Sequence, residues 1–264
     1  MADLRAQPNP QAERVSQLLL FSPCRVEGEA PGWLWVVGPD GYKGWIRASH
    51  TLSGHLPTPV WKVSQPMVVA REAVTDQVLG RMALDTRFWG EMDGPRIWLT
   101  WPSGRAGWVP LDAARPAHWT GTAQDVVDLA GELIGVPYLW GGTSPFGFDC
   151  SGLVQRLYHF VFNRWLPRDS RDQRNYGEPV PDISQLRPGD LLFSPGHVGI
   201  WAGDGKLIHA SAHAGQVVIT ALDPPEDRYG EGLRAQFLGG VRPISARGAP
   251  PLTGVEEGIN CRSP

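Results

Sequence analysis

Cysteine is scarce in this 264-residue chain: there are three, Cys24, Cys150 and Cys261. An odd, scattered set forms no CxxC pair and no disulfide framework, which fits a reducing compartment. Positive charge is not in surplus either. Lys and Arg number 24 against 27 Asp and Glu, for a formal net charge of −3. That excludes the basic footprint with which nucleic-acid binders hold phosphate. Long apolar runs are also missing. Runs such as "LLLF" at 18–21 are far too short to cross a bilayer. The opening "MADLRAQPNPQAERVSQ" has no apolar signal core. The expectation is a cytoplasmic protein with no nucleic-acid and no membrane partner.

Glycine and proline are plentiful, at 32 and 25, and favour short strands joined by turns. The first half repeats itself. "WLWVVGPDGYKGWIRAS" at 33–49 aligns with "RIWLTWPSGRAGWVPLD" at 96–112, matching Trp35 to Trp98, Pro39 to Pro102, Gly41 to Gly104, Gly44 to Gly107 and Trp45 to Trp108. All five pairs share one offset, so two copies of one supersecondary unit are expected. Each reads as a strand, a Gly/Pro turn and a "GW" strand, a hairpin of the kind that builds small barrels. Eight of the twelve tryptophans fall between residues 33 and 108 and are read as barrel core, with a ligand-facing or interdomain role as the alternative.

From about residue 120 the period changes. Thr122 is an N-cap candidate, followed by Val126, Val127, Leu129, Ala130, Leu133 and Ile134 at helical spacing, until Gly135 and Pro137 stop the run. A Gly-rich loop leads into "SGLVQRLYHFVF", where Leu153, Val154, Leu157, Phe160 and Val161 form one helical face. "LRPGDLLF", "HVGIWAGDGKLIHAS", "VVITAL" and "FLGGVRPI" then read as strands. Helices first and a mostly antiparallel sheet after make an α+β layout. The expected organisation is residues 10–56, 57–116, 120–245 and a disordered Pro/Gly-rich tail at 246–264.

Cys150 sits where the second helix begins, with Asp149 as its N-cap. The unpaired N–H groups and positive dipole end there favour a thiolate. A nucleophile also needs a base. His159 lies nine residues along the same helix, about 900° of rotation, and faces away. His50, His55 and His118 belong to the repeat region or the linker. If Gly203-Asp204-Gly205 is a three-residue turn, Gly199 faces His209, leaving room for its ring, and His197 shares a sheet face with His209. A two-residue loop would separate the two histidines. Cys150, His197 as base and His209 as orienter would make a papain-like Cys–His–His set. One Cys and two His without CxxC lack the usual zinc ligand set. These residues alone leave Cys150 open between packed thiol and nucleophile.

"PYLWGGTSPFGFDCSGLVQ", "LPRDSRDQ", "LRPGDLLFSPGHVGIWAGDGKLIHAS" and "FLGGVRPI" resemble, in order and spacing, the NlpC family of papain-like cysteine peptidases. The repeats ahead of them resemble tandem bacterial SH3-like domains. The resemblance implies two small all-β SH3-like barrels followed by an α+β papain-like peptidase. It implies Cys150 as nucleophile, His197 as general base, His209 as third residue, and Tyr138 helping the Cys150 N–H to hold the oxyanion. The whole is similar to γ-D-glutamyl-L-diamino acid endopeptidases, in which the first SH3-like domain and the catalytic loops close around a free amine. Carried over, Asp149, Ser151 and Ser170 would hold the N-terminal L-Ala of a murein peptide, with Tyr42 and Glu13 contributing from the first SH3-like domain. Neither metal nor organic cofactor is implied. The rival readings are a hydrolase of intact wall, a cell-wall amidase, an acyltransferase, and a wall-binding protein with a vestigial peptidase domain.

Overall fold

Alternation of buried and half-exposed residues organises the first 119 residues into antiparallel sheets, and helical periodicity takes over only after residue 120. The computed structural model describes residues 1–54, 57–243 and 259–261. The chain divides into two units, the first spanning Met1–Trp119 and the second starting at Thr120. Among the described residues no helix is long and apolar enough to cross a membrane.

In the N-terminal unit the two sequence repeats adopt one geometry. Trp35 pairs with Trp45 between strands Trp33–Val37 and Lys43–Arg47, and Trp98 pairs with Trp108 between Arg96–Thr100 and Ala106–Pro110. Both turns close alike, Gly38 N–H to Tyr42 O at 2.8 Å and Trp101 N–H to Arg105 O at 2.8 Å. The tryptophans of these pairs are not core, contrary to expectation. The buried face carries Val36 and Ile46 in one copy and Ile97, Leu99 and Val109 in the other. The period of two therefore sends the paired tryptophans to the opposite, half-exposed face. There Trp35 and Trp45 lie 5.4 Å apart, and Arg96 covers Trp108 at 4.2 Å. Trp33 and Trp101 are the buried exceptions.

The first β unit begins earlier than residue 10. Strand Ala2–Arg5 pairs with Arg14–Leu18, and its Ala2 and Leu4 are buried in the core. Four residues are too few for alternation to stand out beside the polar stretch that follows. The tail expected at 246–264 lies largely outside the described residues, as does His55. Within the tail, Ile259–Cys261 forms a strand paired with Pro23–Ala30 and Thr51–Leu52.

The second unit opens with α1 (Ala123–Glu132), capped as expected by Thr122 in a reciprocal box with Asp125. Next come α2 (Cys150–Phe162) and the short α3 (Ser170–Gln173). Six strands follow in sequence, interrupted by one helix: β1 (Glu178–Val180), β2 (Leu191–Ser194), β3 (His197–Gly203), β4 (Lys206–Ser211), β5 (Gln216–Ala221), then α4 (Arg228–Ala235) and β6 (Gly239–Arg242). They form one antiparallel sheet in the order β1-β6-β2-β3-β4-β5, with α1 and α2 packed against β3 and β4. Trp201, Leu207, Leu222 and Leu233 of α4 belong to one apolar cluster on this sheet.

The β3–β4 hairpin reaches the expected register by a different route. Gly203 pairs with Lys206, leaving the two-residue turn Asp204-Gly205 with φ of 50° and 73° at its two positions. Positive φ at both central residues is the hairpin turn whose twist matches the strands. That turn alone would put the histidines on opposite faces. A bulge between Trp201 and Gly203 supplies the extra residue and restores Ile200 opposite Ile208. Continuing that register, Gly199 faces His209. A Cβ at Gly199 would lie 2.7 Å from Leu207 Cγ and 2.9 Å from His209 Cβ. We expect Gly199→Ala to lower stability by about 1–3 kcal/mol, the usual cost of overpacking, read by urea unfolding. An unchanged midpoint would contradict this spacing of β3 and β4.

Candidate active site

Cys150 occupies the first turn of α2, and Asp149 caps the helix by accepting from Gly152 N–H at 2.7 Å. The backbone N–H groups of Val198 and Ser151 lie near enough to the sulfur to favour its charged form. The Val198 N–H brings β3, at the residue next to His197, against the start of α2. His197 Nε2 lies 2.7 Å from His209 Nδ1, so Nδ1 is the nitrogen left for the sulfur. His209 is fully buried, and its Nε2 lies 3.0 Å from Thr220 Oγ1 on β5. Tyr229 of α4 stacks on His209 at 6.1 Å and on His213 at 4.6 Å. The expected base and orienter are thus in contact, and the strand that carries the base runs against the helix start that carries the expected nucleophile. His159 is buried elsewhere, stacked on Trp165 at 3.6 Å.

The electrostatics correct one expectation. Burial, and secondarily the Asp149 charge, push the Cys150 thiol up to about 11, outweighing its two backbone donors. Burial also holds His197 down to about 4, and His209 down to about 3 with help from His197. Both shifts favour the neutral forms, a thiol at Cys150 and an imidazole at His197. The helix terminus does not by itself make a thiolate, because a thiol that is 8% exposed has lost the water that would solvate its charge. Burial and the charges of Cys150 and Asp149 raise Tyr138 to about 12, so its phenol keeps its proton and can donate.

Asp149 was expected to meet a cation on the substrate, and it meets one inside the protein. Arg168 grips it with Nη2–Oδ2 at 2.6 Å and Nη1–Oδ1 at 3.1 Å, with the two side chains 2% and 9% exposed. Gly141 N–H adds a bond to Oδ2 at 2.9 Å. With Gly152 N–H on Oδ1, the roughly four acceptor positions of a carboxylate are taken. Ser151 is likewise occupied, its Oγ accepting from Arg168 at 3.0 Å and lying 3.4 Å from Asp149 Oδ1. Both residues, expected to hold the substrate amine, also fix the helix start within the protein. Ser170 opens α3, half-buried, with no hydrogen bond from its hydroxyl to Asp149, Ser151 or Arg168. Tyr42 is half-buried at the first hairpin turn and Glu13 is exposed between two strands, both in the N-terminal unit.

Sequence reasoning missed Arg168, Thr220 and Tyr229. Arg168 stood within "LPRDSRDQ", where the buried Gln173 also donates to Ser151 O at 3.0 Å. Spacing within that block carries no sign that it folds back on α2. We expect Arg168→Met to cost about 3–5 kcal/mol in unfolding experiments, because it strands a buried carboxylate. Pairing it with Asp149→Asn should recover part of that loss. A stability change within about 0.5 kcal/mol, the range of ordinary surface substitutions, would contradict the pairing.

Comparison with known proteins agrees with this geometry. Residues 135–229 match the NlpC/P60 family, and residues 4–50 match the bacterial dipeptidyl-peptidase SH3 domain. A protein of Lysinibacillus sphaericus named dipeptidyl-peptidase 6 is 27% identical over 257 residues, covering 88% of this chain and 93% of its own. A γ-D-glutamyl-L-lysine dipeptidyl-peptidase of Bacillus subtilis is 38% identical over 120 residues, 42% of this chain and 40% of that one. A crystal structure of an NlpC/P60 family protein from Bacillus cereus superposes with a TM-score of 0.78 at 25% identity, covering 88% of this chain and 83% of that one. The thiol, its two histidines and these matches agree: the chain carries an NlpC/P60 cysteine peptidase domain and, at its N-terminal end, a bacterial dipeptidyl-peptidase SH3 domain.

Proposed function

We propose that this peptidase hydrolyses the bond between γ-D-glutamate and a diamino acid in free murein peptides with an unblocked N-terminal L-Ala. The setting would be cytoplasmic recycling of cell-wall peptides. The observation that carries the chemistry is the 2.7 Å contact of His197 with His209, on the strand whose next residue, Val198, turns its N–H toward the Cys150 sulfur. The substrate is supported by the names of the two relatives, one acting on a γ-D-glutamyl-L-lysine bond and both dipeptidyl-peptidases. A dipeptidyl-peptidase releases two residues from a free N-terminus, so the amine lies a fixed distance from the scissile carbonyl. We also read residues 57–116 as a second SH3-like copy, supported by the shared pairing of Trp35 with Trp45 and Trp98 with Trp108.

The mechanism follows from the neutral pair. As Cys150 Sγ bonds to the γ-glutamyl carbonyl carbon, its proton passes to His197 Nδ1. The carbonyl oxygen becomes an oxyanion facing the Cys150 N–H and the Tyr138 hydroxyl. Among the described residues that hydroxyl has no other hydrogen-bond partner. The imidazolium then gives its proton to the departing amine, leaving a thioester. Water, deprotonated by the same nitrogen, adds to the thioester and frees the dipeptide and the thiol. Proton transfer within the attack step avoids a standing thiolate, which the buried site disfavours.

Purified protein should cleave L-Ala-γ-D-Glu-L-Lys or its diaminopimelate counterpart, and Cys150→Ala should abolish cleavage. N-acetylation should lower kcat/KM about ten- to a hundredfold, the loss of one charge-assisted hydrogen bond. Equal rates on free and acetylated peptides would overturn the free-amine reading. Release of peptides from intact sacculi at comparable rates would favour a wall hydrolase.

A further inference from the structure

His197, His209 and Thr220 make a chain of hydrogen bonds, 2.7 Å and then 3.0 Å, with two self-consistent directions. In the first, His209 Nε2–H donates to Thr220 Oγ1 and His197 Nε2–H donates to His209 Nδ1. His197 Nδ1 then carries a lone pair. In the second, Thr220 Oγ1–H donates to His209 Nε2 and His209 Nδ1–H donates to His197 Nε2. His197 Nδ1 then already holds a proton and cannot accept one from the thiol. The two neutral rings differ only in which nitrogen carries hydrogen, so their neighbours decide.

Only the first direction also survives the chemistry. Once His197 takes the thiol proton it carries hydrogen on both nitrogens, and its Nε2–H needs an acceptor. His209 Nδ1 can accept only while the hydrogen of His209 sits on Nε2. That N–H belongs to a ring with 0% exposure, where a donor without an acceptor bears its full desolvation cost. Thr220, itself buried on β5 diagonally across from His209, supplies the oxygen. The other groups around the rings are Cys150 with the Asp149–Arg168 pair behind it, and Tyr229 and His213 stacked beyond His209. None of these is recorded as a hydrogen-bond acceptor for His209 Nε2.

We infer that Thr220 is a positioning residue that ends the relay, holding His209 as the Nε2–H tautomer so that His197 presents a bare Nδ1 to Cys150. No bond changes at Thr220. The one proton that moves goes from Cys150 Sγ to His197 Nδ1, and the rest of the chain keeps its hydrogens. The sequence carried no sign of this, since a threonine in "VVITAL" reads simply as a good strand former.

Two experiments test it. Nitrogen-15 spectra of the labelled wild-type protein should show both His197 and His209 protonated at Nε2. Protonation of His209 at Nδ1 would overturn the inference, and this measurement needs neither a variant nor a substrate. The kinetic arm rests on the proposed function and uses L-Ala-γ-D-Glu-L-Lys. Thr220→Val should lower kcat about ten- to a hundredfold, the cost of one unsatisfied buried donor. KM should stay within about twofold, because substrate binding does not use the relay. Thr220→Ser keeps the hydroxyl and should recover most of the rate. Wild-type turnover by Thr220→Val, or a Thr220→Ser variant as slow as Val, would overturn the inference. If the wild type cleaves no such peptide, the substrate assignment fails and the spectra alone decide the role of Thr220.

Discussion

A buried imidazole can act as a base toward a thiol only if its far nitrogen is held by an acceptor, and that acceptor needs a proton arrangement of its own. His197 meets this condition through His209, at 2.7 Å across two neighbouring strands. Much of the catalytic unit follows from keeping that contact. The bulge at the end of β3 sets the register, Gly199 leaves space for the His209 ring, and α4 lays Tyr229 over its face. The hairpin turn itself has the wrong parity for the pair, so the bulge is part of the active-site construction.

The second constraint is the start of α2. A helix N-terminus offers N–H groups to an anion, yet the most anionic group there is Asp149, and an uncompensated carboxylate would oppose any charge on the sulfur. Arg168 offsets part of that charge, reaching in from the segment before α3 with a bidentate grip. Gly141 and Ser151 complete the cluster, so the Gly-rich loop, the helix cap and the "LPRDSRDQ" segment are fixed as one body. The site is largely buried, and burial favours the neutral forms of both thiol and imidazole.

What could be read from the sequence divides along physical lines. Local rules located α1 and its Thr122 cap, the α2 start at Cys150 and every strand of the sheet but Glu178–Val180, because each leaves a period or a capping residue within a few positions. The pairing of His197 with His209 was reached through register counting, although the turn was misjudged by one residue and the bulge made up the difference. Arg168 was not legible as the partner of Asp149, because nineteen positions separate them and no periodicity links them. The paired tryptophans were misjudged for another reason. Hydrophobic size suggested core, while strand alternation had already assigned the inner positions to Val36, Ile46, Ile97 and Val109. Helix α4 went unread because "RYGEGLRA" is polar and twice interrupted by glycine.

The account stands on Cys150 as the atom that becomes acylated, and mass spectrometry addresses it directly. The protein would be mixed with L-Ala-γ-D-Glu-L-Lys, quenched in acid during turnover and digested. The predicted result is the Cys150-containing peptide heavier by one L-Ala-γ-D-Glu acyl group, with the Cys24 peptide unmodified. Cleavage of the same substrate that persists in Cys150→Ala would contradict the account.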